Sequence, residues 1–317
     1  AARVMRSRGI SAPTRRARVA ALAWLVLCAL LPVPAAASWA FCDAKAAPSA
    51  ADKDRLLRFA AIVKGELERS GARVALVARS GLDLSRVAQR YSHAGIALRA
   101  SPETPWAVRQ LYYACDEQVP RLYDQGMSAF LMGTDDARIG YISLVLLPEA
   151  PAAALERAAL DNRLALRLLG AEYSANAYAF SPRYQNCNQW VAELLAAAWG
   201  EPDRGADDTR AARSAAQRWL HAQGYEPTRL ELGWWLMRAA TFVPWVHSDD
   251  HPAEDVLGGV FHVSMPTSLE AFARRQAPAA ARVELCHAGE RVVIRRGWTP
   301  IADGCQPEAD DEVVPLP

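Results

Sequence analysis

Residues 91–98 read Tyr-Ser-His-Ala-Gly-Ile-Ala-Leu, and taking this stretch as a strand decides the fold. It runs into Ala100-Ser101-Pro102-Glu103-Thr104-Pro105, a turn-forming sequence, after which Trp106 to Tyr113 is a second run of strand formers. The spacing predicts a hairpin. Alternate side chains of a strand share a face, so His93 lies with Gly95 and Ala97, while Ala94, Ile96 and Leu98 point the other way. On the second strand Trp106, Val108 and Gln110 share a face, which makes Gln110 the polar partner for the imidazole. A register shifted by one residue puts Arg109 there instead, and Tyr112 occupies the same face as Gln110.

Working outward, Leu56, Phe59, Ala60, Val63 and Leu67 recur at helical spacing between Ala51 and Ser70. Arg73 to Ala78 reads as a strand closed by Ser80-Gly81, and Tyr141 to Leu147 as another stopped by Pro148. Ala152 to Leu169 has the pattern of one helix, and Ala171 to Asn186 is irregular. A further helix opens near Cys187 in Tyr184-Gln185-Asn186-Cys187-Asn188-Gln189-Trp190, buries Trp190, Val191, Leu194, Leu195 and Ala198, and ends at Gly200-Glu201-Pro202. Thr209 to Gln223 is helical. Leu230 to Val246 is either a core element or an interfacial segment that sets Trp234, Trp235 and Trp245 against a membrane surface. Val260 to Met265, Arg282 to Cys286 and Arg291 to Arg296 read as strands of a C-terminal β-rich subdomain or sheet extension, and the acidic, proline-containing tail after Gly304 reads as a low-complexity linker.

The chain has 317 residues, 51% hydrophobic and 22% charged, enough for a sizeable core. A net charge of +1 supplies no basic excess for phosphates, which argues against a nucleic-acid partner. Arg6, Arg8, Arg15, Arg16 and Arg18 precede an apolar run, Val19 to Leu31, and then Ala35-Ala36-Ala37-Ser38-Trp39-Ala40. This order is that of a secretion signal with cleavage near Ala37 or Ala40. The expected organisation is a signal over 1–40, a core over 41–200 and a helical and β-rich extension over 201–317, in a periplasmic or secreted protein. Cleavage leaves Cys42, Cys115, Cys187, Cys286 and Cys305, an odd set in a compartment where disulfides persist. Cys286 and Cys305 are natural partners, Cys42 and Cys115 a second pair, and Cys187 the thiol left over.

A thiol becomes a nucleophile when a helix N-terminus or an imidazole lowers its pKa or removes its proton. Cys187 with His93 meets both conditions, and Gln110 fixes the ring's tautomer and orientation. Tyr184 and Asn186 either shape an oxyanion site or cap and pack the helix. No cofactor enters this reading. The rival cluster His247-Ser248-Asp249-Asp250-His251, before Pro252, reads as a solvated acidic turn rather than a metal site.

The motifs His93-Ala94-Gly95-Ile96 and Asn186-Cys187, with Gln110 between them, resemble the circularly permuted branch of the papain-like superfamily, which includes NlpC-type proteins and the lecithin retinol acyltransferase group. Together with Phe41-Cys42-Asp43 they also look like the bacterial family known as domain of unknown function 2145. The superfamily resemblance spans roughly Arg73 to Gly200. It implies an α+β fold with an antiparallel sheet packed on the Cys187 helix, and a cysteine hydrolase or acyltransferase in which Cys187 attacks, His93 moves the proton and Gln110 orients. The expected substrates are a cell-wall peptide or a lipid acyl group. The alternative is a catalytically silent scaffold that binds or assembles at the envelope.

Overall fold

The central strands are apolar at successive positions because helices cover both faces of the sheet they form. A computed structural model of the protein describes residues 48–200, 208–233 and 243–316. Residues 1–40, read as an export signal, and Cys28, Cys42, Trp234 and Trp235 lie outside the described residues, so the expectations placed on them do too.

The chain enters through helix α1 (Ala50–Arg69), capped by Ser49, and continues through β1 (Val74–Arg79), β2 (His93–Leu98), β3 (Ala107–Ala114) and β4 (Val119–Gln125). A short α2 (Met127–Leu131) leads to β5 (Ile139–Leu146), followed by α3 (Glu149–Leu160) and α4 (Asn162–Arg167). Where the sequence predicts one helix over 152–169 there are two, because Asp161 is extended and its carboxylate accepts from the Arg163 and Leu164 N–H groups, starting a new helix. Then come α5 (Cys187–Trp199), α6 (Thr209–Ala222), β6 (Thr228–Glu231), α7 (Ala253–Gly258), β7 (Val260–Val263) and α8 (Pro266–Gln276). The chain closes with β8 (Ala281–Ala288), β9 (Arg291–Arg296) and β10 (Glu312–Pro315).

Eight strands form one antiparallel sheet in the order β10-β9-β8-β5-β1-β2-β3-β4, and β6 pairs with β7 in a small second sheet. With eight helices among the described residues the fold is α+β. The expected strand pair is a hairpin in the register Ile96↔Arg109. The tail read as a low-complexity linker supplies β10, which pairs with β9 at the sheet's edge.

On one face Ala94, Ile96, Leu98 and Leu111 pack against Leu155 of α3, Trp190, Val191 and Leu194 of α5, Leu220 of α6 and Phe272 of α8. On the other, Ala75, Val77, Ala97 and Val108 meet Phe59 and Val63 of α1 and Phe130 of α2. Cys286 and Cys305 form a disulfide that ties β8 to the segment after β9, and Cys115 is also disulfide-bonded. Cys187 is the free thiol among the described residues. No described helix is long and apolar enough to cross a membrane.

Candidate active site

The two strands of the hairpin pair only from Ile96↔Arg109 to Leu98↔Ala107. Before Ile96 they part, and the N-terminus of α5 enters the fork. Asn188 Nδ2 donates to the Ser92 carbonyl at 3.3 Å, and the backbone N–H groups of Ala94, Cys187 and Asn188 act on the thiol in the direction that favours its thiolate. Helix α5 thus takes up ladder positions that β3 leaves empty, and the thiol is fixed one residue from His93.

Gly95 makes the fork narrow enough to matter. A Cβ there would lie 2.5 Å from Val108 Cγ1 and 3.0 Å from the Arg109 carbonyl, so only glycine lets β3 approach this closely. That approach carries Gln110 to the histidine: His93 Nε2 hydrogen-bonds Gln110 Oε1, and Gln110 Nε2 donates to Gln125 Oε1 at 2.6 Å. With the amide oxygen facing the ring, Nε2 carries the hydrogen and Nδ1 keeps its lone pair. Arg109 points to the opposite face, where it pairs with Asp124 and bonds Asn162 Oδ1 at 2.8 Å, so the one-residue register alternative does not occur. Tyr112, nearly half exposed, sets its ring 6.2 Å from that of His93 and so lies on the solvent side of the imidazole.

His93 and Gln110 are therefore in direct contact, and the Ala94 N–H, one residue on from His93, acts on the Cys187 thiol. No hydrogen bond joins Sγ to the imidazole among the described residues. Burial pushes the Cys187 thiol up to about 11, against the opposing pull of the Arg79 charge and the backbone N–H groups. Burial, and then the same Arg79 charge, push His93 down to about 3, with the Gln110 bond opposing. The resting pair is a neutral thiol and a neutral imidazole.

Arg79 is the site residue that the sequence reading missed. It ends β1 directly opposite His93, is 5% exposed, and lies with its Cζ 5.2 Å from the Phe130 ring centre. Nη1 donates to the carbonyls of Ser80 and Gly133, while buried Nε has no partner. Gly81 and Gly133 shape its slot: a Cβ on the first would lie 2.6 Å from Ser92 Oγ, and one on the second 2.7 Å from Arg79 Cζ. Burial lowers its pKa to about 10, which leaves it charged at neutral pH. An arginine closing an apolar strand just before Ser80-Gly81 was the available signal. Tyr173, partly buried and stacked on Tyr113 at 4.9 Å, is the other missed neighbour, and its pKa is raised by desolvation and by Cys187.

The approach to α5 is held by polar contacts. Asn186 caps the helix, accepting from Gln189 N at 2.7 Å and donating to the Ala175 carbonyl at 3.2 Å, so its role is capping. Tyr184 stacks on His247 with ring centres 4.4 Å apart. Within α5, Glu193 accepts from Gln185 at 2.6 Å, Gln217 at 2.7 Å and Arg213 at 2.9 Å, while Arg213 also donates to the carbonyls of Pro182 and Tyr184.

The stretch expected to be a solvated acidic turn is exposed at Ser248 and Asp249, while the Asp250 and His251 side chains turn inward as a clasp. Asp250 accepts the Tyr178 N–H at 2.9 Å and His251 Nε2 donates to the Asn176 carbonyl at 2.7 Å, because the irregular segment before α5 needs partners for its backbone. No group of three or more His, Cys, Asp or Glu among the described residues is arranged to hold a metal. Trp245 packs its ring 5.9 Å from that of Tyr113.

An antiparallel α+β scaffold with a buried thiol beside a histidine–glutamine pair defines the class. The family model described as an uncharacterized protein conserved in bacteria (DUF2145) matches residues 66–273, and the chain belongs to that family. No curated protein and no solved structure matches it.

Proposed function

We propose that the protein is an exported cysteine hydrolase or acyltransferase of permuted papain-like design, working on an amide or ester through an acyl-enzyme. The observation that carries this reading is the fork: Cys187 Sγ opens α5 against the Ala94 N–H, next to an imidazole oriented by Gln110. In the reaction the Sγ–H proton passes to His93 Nδ1 as sulfur attacks the acyl carbon. Backbone N–H groups at the start of α5 face the developing oxyanion, and His93 returns the proton to the leaving group. Water or an acceptor then resolves the acyl-enzyme. A cell-wall peptide and a lipid ester both fit this chemistry. Export is supported by the Cys286–Cys305 bridge, which persists only where the surroundings are oxidising.

The silent-scaffold alternative has one observation in its favour: burial holds both partners of the pair in their neutral forms. Labelling with an electrophilic thiol probe, followed by mass spectrometry, separates the two readings. Label on Cys187 that is strongly slowed in His93→Ala supports the enzyme. Equal labelling of folded wild type and His93→Ala rejects the dyad and favours the scaffold.

A further inference from the structure

Arginines buried elsewhere in the molecule come with their counter-ions. Arg109 is paired with Asp124, Arg213 with Glu193, Arg282 with Glu270 and Glu284, and Arg295 with Asp311. Arg79 is as deeply buried as these and has no carboxylate partner among the described residues. Removing a guanidinium from water costs several kcal/mol unless an opposite charge compensates it. The missing compensation falls at the fork.

The unused part of the guanidinium is specific. Nη1 is taken by two backbone carbonyls, Nε is buried without a partner, and no hydrogen bond from Nη2 is present among the described residues. The Nε–Nη2 edge is the one that takes a carboxylate through two parallel hydrogen bonds. Gly133 lies against that edge, where a Cβ would come within 2.3 Å of Nη2 and 3.3 Å of Nε, so the slot holds the guanidinium only because position 133 has no side chain. The strand register sets the same group opposite His93.

We propose that a carboxylate of the substrate completes this site by pairing with Arg79 while Cys187 attacks a neighbouring acyl carbon. This rests on the reading of Cys187 as the nucleophile and narrows its substrates to acyl compounds that carry an anion close to the scissile bond. The pairing exchanges no proton: the Sγ–H bond breaks, its proton goes to His93 Nδ1, and the sulfur electron pair forms the new S–C bond. Neutralising Arg79 removes one of the two causes that hold the imidazole low, so the arriving carboxylate also makes His93 a stronger base. A substrate without the anion meets a weaker base.

The test compares alkylation of Cys187 by iodoacetate, which carries a carboxylate, with alkylation by neutral iodoacetamide, in wild type, Arg79→Gln and Arg79→Lys. The ratio of the two rates is expected to fall about tenfold in Arg79→Gln, as loss of a nearby charge in a partly screened site implies, and to be largely kept in Arg79→Lys. In the wild type at constant ionic strength, acetate is expected to change the iodoacetamide rate saturably and acetamide to leave it unchanged, a measurement that stands even if Arg79→Gln does not fold. An unchanged ratio in folded Arg79→Gln, identical effects of acetate and acetamide, or no reaction of Cys187 with either reagent overturns the proposal. Loss of the nucleophile reading looks different: His93→Ala then alkylates as fast as wild type while the preference for iodoacetate remains.

Discussion

The two parts of α5 bury charge in opposite ways. Midway along the helix Glu193 meets Arg213, Gln185 and Gln217, and every oxygen and nitrogen of the pair is answered. At the start of the same helix, Cys187 feels the charge of an arginine that has no carboxylate partner among the described residues, near an imidazole kept neutral. The first arrangement can only hold the chain together, since satisfied groups have nothing left to offer a ligand. The second is a standing cost that the rest of the fold must carry, and such a cost marks the place where chemistry is done.

The largest effect expected is at the satisfied end. Glu193→Ala strands Arg213 in the core and should lower stability by about 3–5 kcal/mol, read as a drop in the urea midpoint. A loss below about 1 kcal/mol would mean that this network is as dispensable as a surface pair and would erase the contrast.

At the fork the expected loss is functional. Cys187→Ala should abolish probe labelling and His93→Ala should slow it by about 10²–10⁴-fold, with Gln110→Ala having a smaller effect because it only loosens the ring. A Gln110→Ala effect as large as that of His93→Ala would mean that orientation, not basicity, limits the site.

Acid should sharpen the comparison further. His93 is held at about 3 and His287, buried against Phe59 at 4.6 Å with neither ring nitrogen bonded, at about 4, both below the free value of 6.5. The unfolded chain therefore binds protons that the folded chain refuses. Their contribution to stability is fully present above 6.5 and is lost as pH falls toward these folded values. The urea midpoint should drop between about pH 7 and about pH 4.5, and drop less steeply in His287→Leu; parallel curves would remove His287 as a cause.

The smallest effect belongs to Arg79→Gln: it relieves the cost of an uncompensated charge but gives up the bonds to the Ser80 and Gly133 carbonyls, and these opposing changes should leave stability within about 1 kcal/mol of wild type. A loss equal to that of Glu193→Ala would show Arg79 to be a structural residue.

What the sequence disclosed follows from where each signal resides. The inner strands β1, β2, β3 and β5 were legible because both of their faces are buried and their residues say so one after another. The edges were not. Strand β4 carries Pro120, Arg121 and Asp124 in a half-exposed run, and β10 is a four-residue strand that ends in proline; both are tolerated because an edge strand owes hydrogen bonds on one side only. Within the site, His93, Gln110 and Cys187 each announce themselves through residue type and local setting. Arg79 does not, since its meaning comes from the carboxylate it lacks. Nor does the fork, which depends on a helix far away in sequence.

That distance carries a consequence for how the protein is made. Asn188 reaches the Ser92 carbonyl across 96 positions, so β2 and β3 are both present, free to pair, long before the residues that separate them at Ser92 and Ala94 have been synthesised. Early in folding the hairpin can zip past Ile96, and α5 must then displace the extra rungs to dock. Long-range steps of this kind are slow compared with local pairing. The thiol is therefore seated late, by invasion of a structure that formed first, and a half-emerged chain holds a closed hairpin with no assembled centre.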